Sequence, residues 1–358
     1  MIDFLIIGGG IAGCSLASKL APHGSLTLLE AEDNFAHHAS GRSAAAFEKN
    51  YGLASTVALT EASEDGHREF DVLTPRGLML LARDGELDHF ETDIAALGLD
   101  RLALEDAFDM VPILNQSTVI AAAHHAAMWD IDTDRLLQRF VAIAKANGAS
   151  LQVKQTVRQI ERSAKGWHVT TGDQTVDART IVNAAGPWAD KIAKLAGVTP
   201  IGLQPYRRSM GRIPAPGGHD VTHWPMIFGP GESWYAKPDA GALIVSPAEE
   251  DPMDPHDAFA DDLVIAEGFA RYEGYVTGPV TRLLSSWAGL RTFAPDRQLV
   301  LGLEPSDPTF IWCAGQGGYG MQSCHGAAEL VADHILGRPA SLPANVVQAV
   351  SPSRFKRS

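Results

Sequence analysis

The glycines near the start of the chain are spaced for a particular chemistry. In "DFLIIGGGIAGCSLASKL", Gly8, Gly10 and Gly13 form a G-x-G-x-x-G run between an apolar stretch at 4–7 and an alanine-rich stretch at 11–20. The first glycine permits a tight turn, the second lets a pyrophosphate approach the backbone, and the third allows close helix–strand contact. A helix beginning at Ile11 would offer unpaired N–H groups and its positive dipole end to the phosphates. "SLTLLE" at 25–30 then reads as a second strand, and it ends in Glu30, where a carboxylate would grip a ribose diol. The chemistry is dinucleotide binding, with NAD and FAD both open at this point.

A second glycine loop narrows that choice. "FIWCAGQGGYG" at 310–320 reads as a buried strand running into a turn, followed by a helix over about 322–336 that Gly337 and Pro339 close. A helix N-terminus aimed at a reduced flavin would stabilise negative charge on its N1–C2=O edge. A nicotinamide enzyme has no need of that second anion site, so the loop favours FAD.

The elements that must position these loops alternate. "DIDTD" opens a helix expected over 135–147, with Leu136, Leu137, Phe140, Ile143 and Ala144 on one side and Gly148 as its cap. Strands are expected at 151–157 and 167–172, and 179–190 is expected to run from a strand through a glycine turn into a helix. Two stretches differ, rich in proline and in aromatic or alternating runs: "RGLMLLAR" in the first, "SWYAKP" and "ALIVSP" in the second. The pattern predicts an α/β chain, α+β overall. A Rossmann-like FAD-binding domain (1–74, 130–201 and 294–358) carries an inserted mixed or antiparallel-sheet substrate domain (75–129 and 202–293).

Length and composition fit this organisation. The chain has 358 residues, 45% hydrophobic and 20% charged, as an ordinary globular protein has. A net charge of −14 repels polyanions, which argues against a nucleic-acid partner. The basic end from Arg354 reads as a solvated tail. Cys14, Cys313 and Cys324 lack paired spacing, and the first apolar run is too short to span a membrane, so the cytoplasm fits. Peripheral membrane contact stays open. His37-His38 and His124-His125 lack the partner spacing of a metal site, and none is expected.

The glycine fingerprint, Glu30, "SGRSAA", "VNAAGPWAD", "WAGLRTFAPD" and "GQGGYGMQ" together resemble a known superfamily. It is that of the FAD-dependent amine and amino-acid oxidoreductases: D-amino-acid oxidase, glycine oxidase and sarcosine oxidase. The likeness to the bacterial D-arginine dehydrogenase type extends through "DIDTDRL", "LAGVTPIGLQPYRRS", "WYAKPDAG" and "PMDPHDAFADDLVIA", nearly the whole chain. The resemblance implies FAD contacts from Gly8, Gly10, Gly13 and Glu30, and from Ser40, Arg42, Ser43 and Ala44. Val157 would meet the adenine by backbone, and Ala185 and Gly186 would line the phosphate side. Gly315, Gly317, Tyr319, Gly320, Met321 and Gln322 would stand near the isoalloxazine. The same resemblance makes Arg208, Tyr235 and Arg291 a clamp for the substrate carboxylate, Tyr51 a wall or lid residue, and Gly318 a neighbour of the substrate. The family's covalent flavin cysteine follows "GLR", where this chain has Phe293-Ala294, so the FAD is expected to be non-covalent.

The chemistry asks for such residues independently. A guanidinium offers a permanently charged fork to a carboxylate, and orientation supplies much of the catalysis. The plainer readings are that Arg291 pairs with Asp296 and that Tyr235 is a core tyrosine with a bonded hydroxyl. Arg207 and Arg208 are adjacent, so one of them should face the ligand.

Two departures bear on the substrate. The D-arginine type has His-Tyr where this chain has Ala46-Phe47, and a glutamate at the position of Leu78. Both changes remove polarity, which points to neutral or apolar D-amino acids oxidised to 2-oxo acids and ammonia. The electron acceptor would be a quinone, another carrier or O2. Glu48 and Lys49 could restore polarity, but sequence alone does not place them. Secondary amines or 2-hydroxy acids would suit the same clamp, and a flavin-binding assembly protein without turnover is a third alternative.

Overall fold

A computed structural model describes residues 1–172 and 174–355. Ile2–Ile7 lies inside an eight-stranded sheet, parallel to Leu26–Leu29 on one side and to Thr175–Asn183 on the other. Ser150–Gln152 continues the parallel order beyond Leu26–Leu29. Asp307–Ala314 runs parallel to the end of Thr175–Asn183, with Val300–Glu304 antiparallel outside it. The hairpin Gln159–Ser163/Gly166–Thr170 pairs with the first half of Thr175–Asn183. Such unbroken apolar strands need cover on both faces. Ile6, Leu28, Val182 and Ile311 pack with the helices Ile11–Leu20, Thr133–Ala146 and Gly320–Leu336. Leu5, Leu29, Ile181 and Trp312 pack on the opposite side with Trp167 and Ile192.

Local chemistry sets the ends of these elements. Asp132 caps Thr133–Ala146 by accepting from the Arg135 N–H at 2.9 Å, so the helix begins two residues before the expected start. Gly337, at φ 65°, ends Gly320–Leu336 as a left-handed cap. The strand expected at 151–157 stops at Gln152. Beyond it the chain turns, with Lys154 at φ 60°, and the N–H groups of Lys154 and Gln155 donate to the carbonyls of Glu32 and Glu30. Arg354 is not a solvated tail residue, because it donates to Asp296 at 2.6 Å and lies over Phe355.

A nine-stranded, mostly antiparallel sheet draws its strands from 78–125 and 204–293. Gln204–Pro214 pairs along its length with Ser285–Phe293, and Leu78–Ala82 lies between Met226–Phe228 and Ala121–His125. A small third sheet joins Ala46–Glu48, Met128–Ile131 and Leu73–Pro75. Among the described residues, no helix is long and apolar enough to cross a membrane.

Candidate functional site

The glycine turn is built as its spacing requires. Gly8 sits at φ +110°, where a Cβ would overlap the Ala184 carbonyl, and a Cβ on Gly13 would overlap the Gly8 carbonyl oxygen. These two glycines shape the turn from behind. Gly10 begins the helix Ile11–Leu20 without a side-chain cap, and Gly10, Ile11 and Ala12 line one end of a cavity of about 440 Å³. Ser40 lines it too, its hydroxyl accepting from the Ile11 N–H at 3.0 Å. Ser43, Ala44 and Gly186 extend the wall. Glu30 lies off the cavity, accepting from the N–H groups of Gly9 at 2.7 Å and Glu32 at 2.9 Å.

Other expected cofactor residues divide. Ala185 and Gly315 are not in the cavity wall. Val157 is also outside it, partly buried against the core beside Ile160. Arg42 lines the cavity, but its guanidinium is spoken for: it pairs with Asp257 and donates to the carbonyls of Ala258 and Ala288. Its charge ties two loops together and is not left free for a phosphate.

The clamp residues converge at the other end. The strand register sets Arg291 opposite Tyr206, which puts Arg208, two residues along, on the same face. Arg207 falls on the other face and binds Asp251 at 2.7 Å. Arg208 is 4% exposed, and its Nη1 is buried without a hydrogen-bond partner. Arg291 donates to the Tyr51 hydroxyl at 3.3 Å, while Asp296, its suggested partner, is taken by Arg354. Tyr235 and Leu78 both line the cavity, Leu78 beside Met128, Met226 and Phe228. Burial holds the Tyr51 hydroxyl well above its ordinary pKa, opposed by Arg291, so it stays protonated.

The second glycine loop reaches the clamp by a backbone bond. The Gly317 N–H donates to the Thr292 carbonyl at 2.8 Å, with Gly317 at φ +54°. A Cβ on Gly318 would press on the Arg291 guanidinium, so only a glycine leaves that side chain its place. Gly320, the neighbouring Tyr319 and Met321, and Gln322 also face the cavity.

Some residues of the site carry no sequence signal. Glu232, on the turn after Pro230–Gly231, accepts from the Tyr51 hydroxyl at 3.1 Å and stands 3.8 Å from Arg208 Nη1. Gln316 Nε2 and Thr292 Oγ1 lie buried without partners in residues that line the cavity. Glu48 faces the cavity, whereas Lys49 pairs with Glu64. Glu32, His37 and His38 are the one group among the described residues spaced to hold a metal ion, though His38 already meets Glu32 at 3.0 Å.

These residues fit FAD. The cavity joins a helix start whose N-cap is a glycine, a wall of small residues and a second helix start, and buried polar atoms without hydrogen-bond partners belong to residues of its wall. A family model described as "FAD dependent oxidoreductase" matches residues 3–334, and the chain belongs to that family of FAD-dependent oxidoreductases. A curated relative is a tRNA 5-methylaminomethyl-2-thiouridine biosynthesis bifunctional protein from Burkholderia lata, 25% identical over 98% of this chain. The match spans only 59% of that relative's length. L-proline dehydrogenase from P. horikoshii has the same fold, at a TM-score of 0.83 and 23% identity over 99% of this chain and 97% of that one. Glycine oxidase from Geobacillus kaustophilus gives 0.84 and 21%, over 99% of both chains. The protein is therefore an FAD-dependent oxidoreductase.

Proposed function

We propose that this protein deaminates D-amino acids with neutral, apolar side chains, giving a 2-oxo acid and ammonia. The observation that supports this most is the surroundings of Glu232. Arg208 and the Tyr51 hydroxyl, itself bonded to Arg291, already meet a carboxylate at the cavity, the group every such substrate brings. Tyr235 has no hydrogen-bond partner for its hydroxyl among the described residues, which leaves it available to the same group. The apolar wall of Leu78, Met128, Met226 and Phe228 suits a side chain that gains by burial. The chain's motifs resemble those of the D-arginine dehydrogenase type.

In this reading Gly10, Ser40, Ser43, Ala44 and Gly186 hold the pyrophosphate side of non-covalent FAD, and Glu30 and Val157 hold its adenosine. Gly317, Gly318, Tyr319, Gly320, Met321 and Gln322 face its ring system. The bound flavin supplies a hydride acceptor. This chain's residues then anchor the carboxylate, aim the α-hydrogen and leave the amine free to lose its proton. Residues 1–74, 130–201 and 294–358 would form the FAD domain, and 75–129 and 202–293 the substrate domain. The enzyme would work in the cytoplasm and pass electrons to a quinone, another carrier or oxygen.

Anaerobic mixing with D- and L-amino acids, sarcosine, proline and 2-hydroxy acids tests this. Apolar D-amino acids should bleach the flavin fastest. Bleaching by secondary amines, L-isomers or hydroxy acids alone would overturn the reading.

A further inference from the structure

We propose that Glu48 is the counter-charge and proton acceptor for the substrate's amine, with His125 as its positioning residue. This rests on the reading that an amino acid occupies the cavity. The strand Ala46–Glu48 alternates, so Ala46 and Glu48 face the cavity while Phe47, fully buried, faces the core. Glu48 is 5% exposed. Its Oε1 accepts from the Asn50 N–H at 3.1 Å, and its Oε2 stands 3.0 Å from His125 Nε2. Those last two atoms are out of line for a hydrogen bond, and each is buried without a partner.

The charges around Glu48 leave it uncompensated. His125 Nδ1 accepts from the Ala127 N–H at 3.0 Å, which assigns the neutral ring's proton to Nε2. The one donor bonded to the carboxylate among the described residues, the Asn50 N–H, is thus neutral, as is the imidazole beside it in that tautomer. Lys49 is paired with Glu64. Asp130, opposite Ala46 on the neighbouring strand, is tied by Arg76 and Lys237. His67, against the far side of Phe47, is held neutral by burial. Tyr51 and Gln322 are uncharged, and Arg208, Arg291, Glu232 and Asp93 line the same cavity without pairing with Glu48. Among the described residues, no lysine or arginine pairs with Glu48 within 4.0 Å.

A buried carboxylate held by neutral groups calls for a cation. An α-amino acid carries one next to the carboxylate that the arginines hold. The ammonium N–H bond breaks, its electron pair stays on nitrogen, and the proton forms an O–H bond on Glu48. The freed lone pair is what departure of the α-hydrogen as hydride requires.

The FAD-loaded enzyme allows a test that does not depend on turnover. 2-Aminoisobutyrate has no α-hydrogen and cannot react, and isobutyrate lacks only its nitrogen. Glu48→Gln should weaken 2-aminoisobutyrate binding about tenfold or more, leaving isobutyrate unchanged or tighter. In the same variant, kcat/KM for a D-amino acid should fall about tenfold per pH unit below the free amine's own ionisation, whereas wild type stays level further down. His125→Gln, which keeps a donor, should retain the wild-type profile, and His125→Leu should lose it. Equal weakening of both ligands would reduce Glu48 to a shaping role and overturn the proposal. So would an unchanged pH profile, or a loss confined to D-arginine and D-lysine. If no amino acid reduces the wild-type flavin, the substrate reading falls, and the two binding measurements still decide the amine site.

Discussion

Arg208 and Arg291 reach the cavity from neighbouring strands, Arg208 with Glu250 at 3.5 Å and Arg291 with the Tyr51 hydroxyl at 3.3 Å. Arg208 donates to the Glu249 carbonyl at 2.9 Å, while its Nη1 has no hydrogen bond. Removing one partner of a buried charged contact costs about 2–5 kcal/mol. Arg291→Ala and Arg208→Ala should therefore each lower kcat/KM about thirtyfold or more, chiefly through KM, with FAD still bound. Steady-state kinetics with flavin content as control would measure this, and wild-type efficiency in both variants would place the carboxylate elsewhere. Leu78, 5% exposed in the cavity wall, is the residue that the proposed function sets against the substrate's side chain. Leu78→Glu should raise kcat/KM for D-arginine relative to D-leucine, since an unpaired buried cation costs about 3–5 kcal/mol. An unchanged ratio would show that the side chain extends elsewhere.

Among the elements, the helix Gly320–Leu336 couples the site to the core. His325 lies on it against Phe70, Phe140 and His67, and a Cβ on Gly66 would strike its ring. Burial, with the neighbouring His67, pulls the His325 pKa down to about 3, below the unfolded value near 6.5. Between those values the unfolded chain binds the extra proton, so stability falls as pH drops from about 6.5 toward 3. The slope is at most about 1.4 kcal/mol per pH unit for this group. Urea midpoints at pH 7 and pH 5 should thus separate more in wild type than in His325→Leu. Equal separations would mean that the ring is solvated on acidification.

Over the whole molecule, two properties are open to direct measurement. All three cysteines are buried, none lines the cavity, and burial pushes the Cys313 thiol up to about 12. Acid precipitation should therefore leave the yellow flavin in the supernatant, and colour retained in the pellet would show a covalent link. The net charge of −14 sets the chain against polyanionic partners, although a relative's name includes tRNA. Bulk tRNA should not be retained with micromolar protein at physiological salt in a filter assay. Retention would reopen a macromolecular substrate.

Gly8, Gly10 and Gly13 were legible from spacing alone, because a strand–turn–helix is a local motif, although the atoms that would meet a Cβ at Gly8 and Gly10 belong to the distant Ala184 and Ser40. The same holds for the helix Ile11–Leu20 and for Gly337, where periodicity and a cap act within one turn. The pairing of Arg42 with Asp257 was not legible, because the two stand more than 200 positions apart in the chain. Val157 was assigned to a strand that ends at Gln152, where bonds to Glu30 and Glu32 turn the chain. Glu232 and the Glu48–His125 contact are invisible in sequence, since charges on separate strands and turns acquire meaning only when pairing register brings them together. By itself the sequence determined the dinucleotide turn and the parallel strands around it. Which charges face the cavity was decided by the tertiary structure, because Coulomb and hydrogen-bond partners are chosen by distance in space.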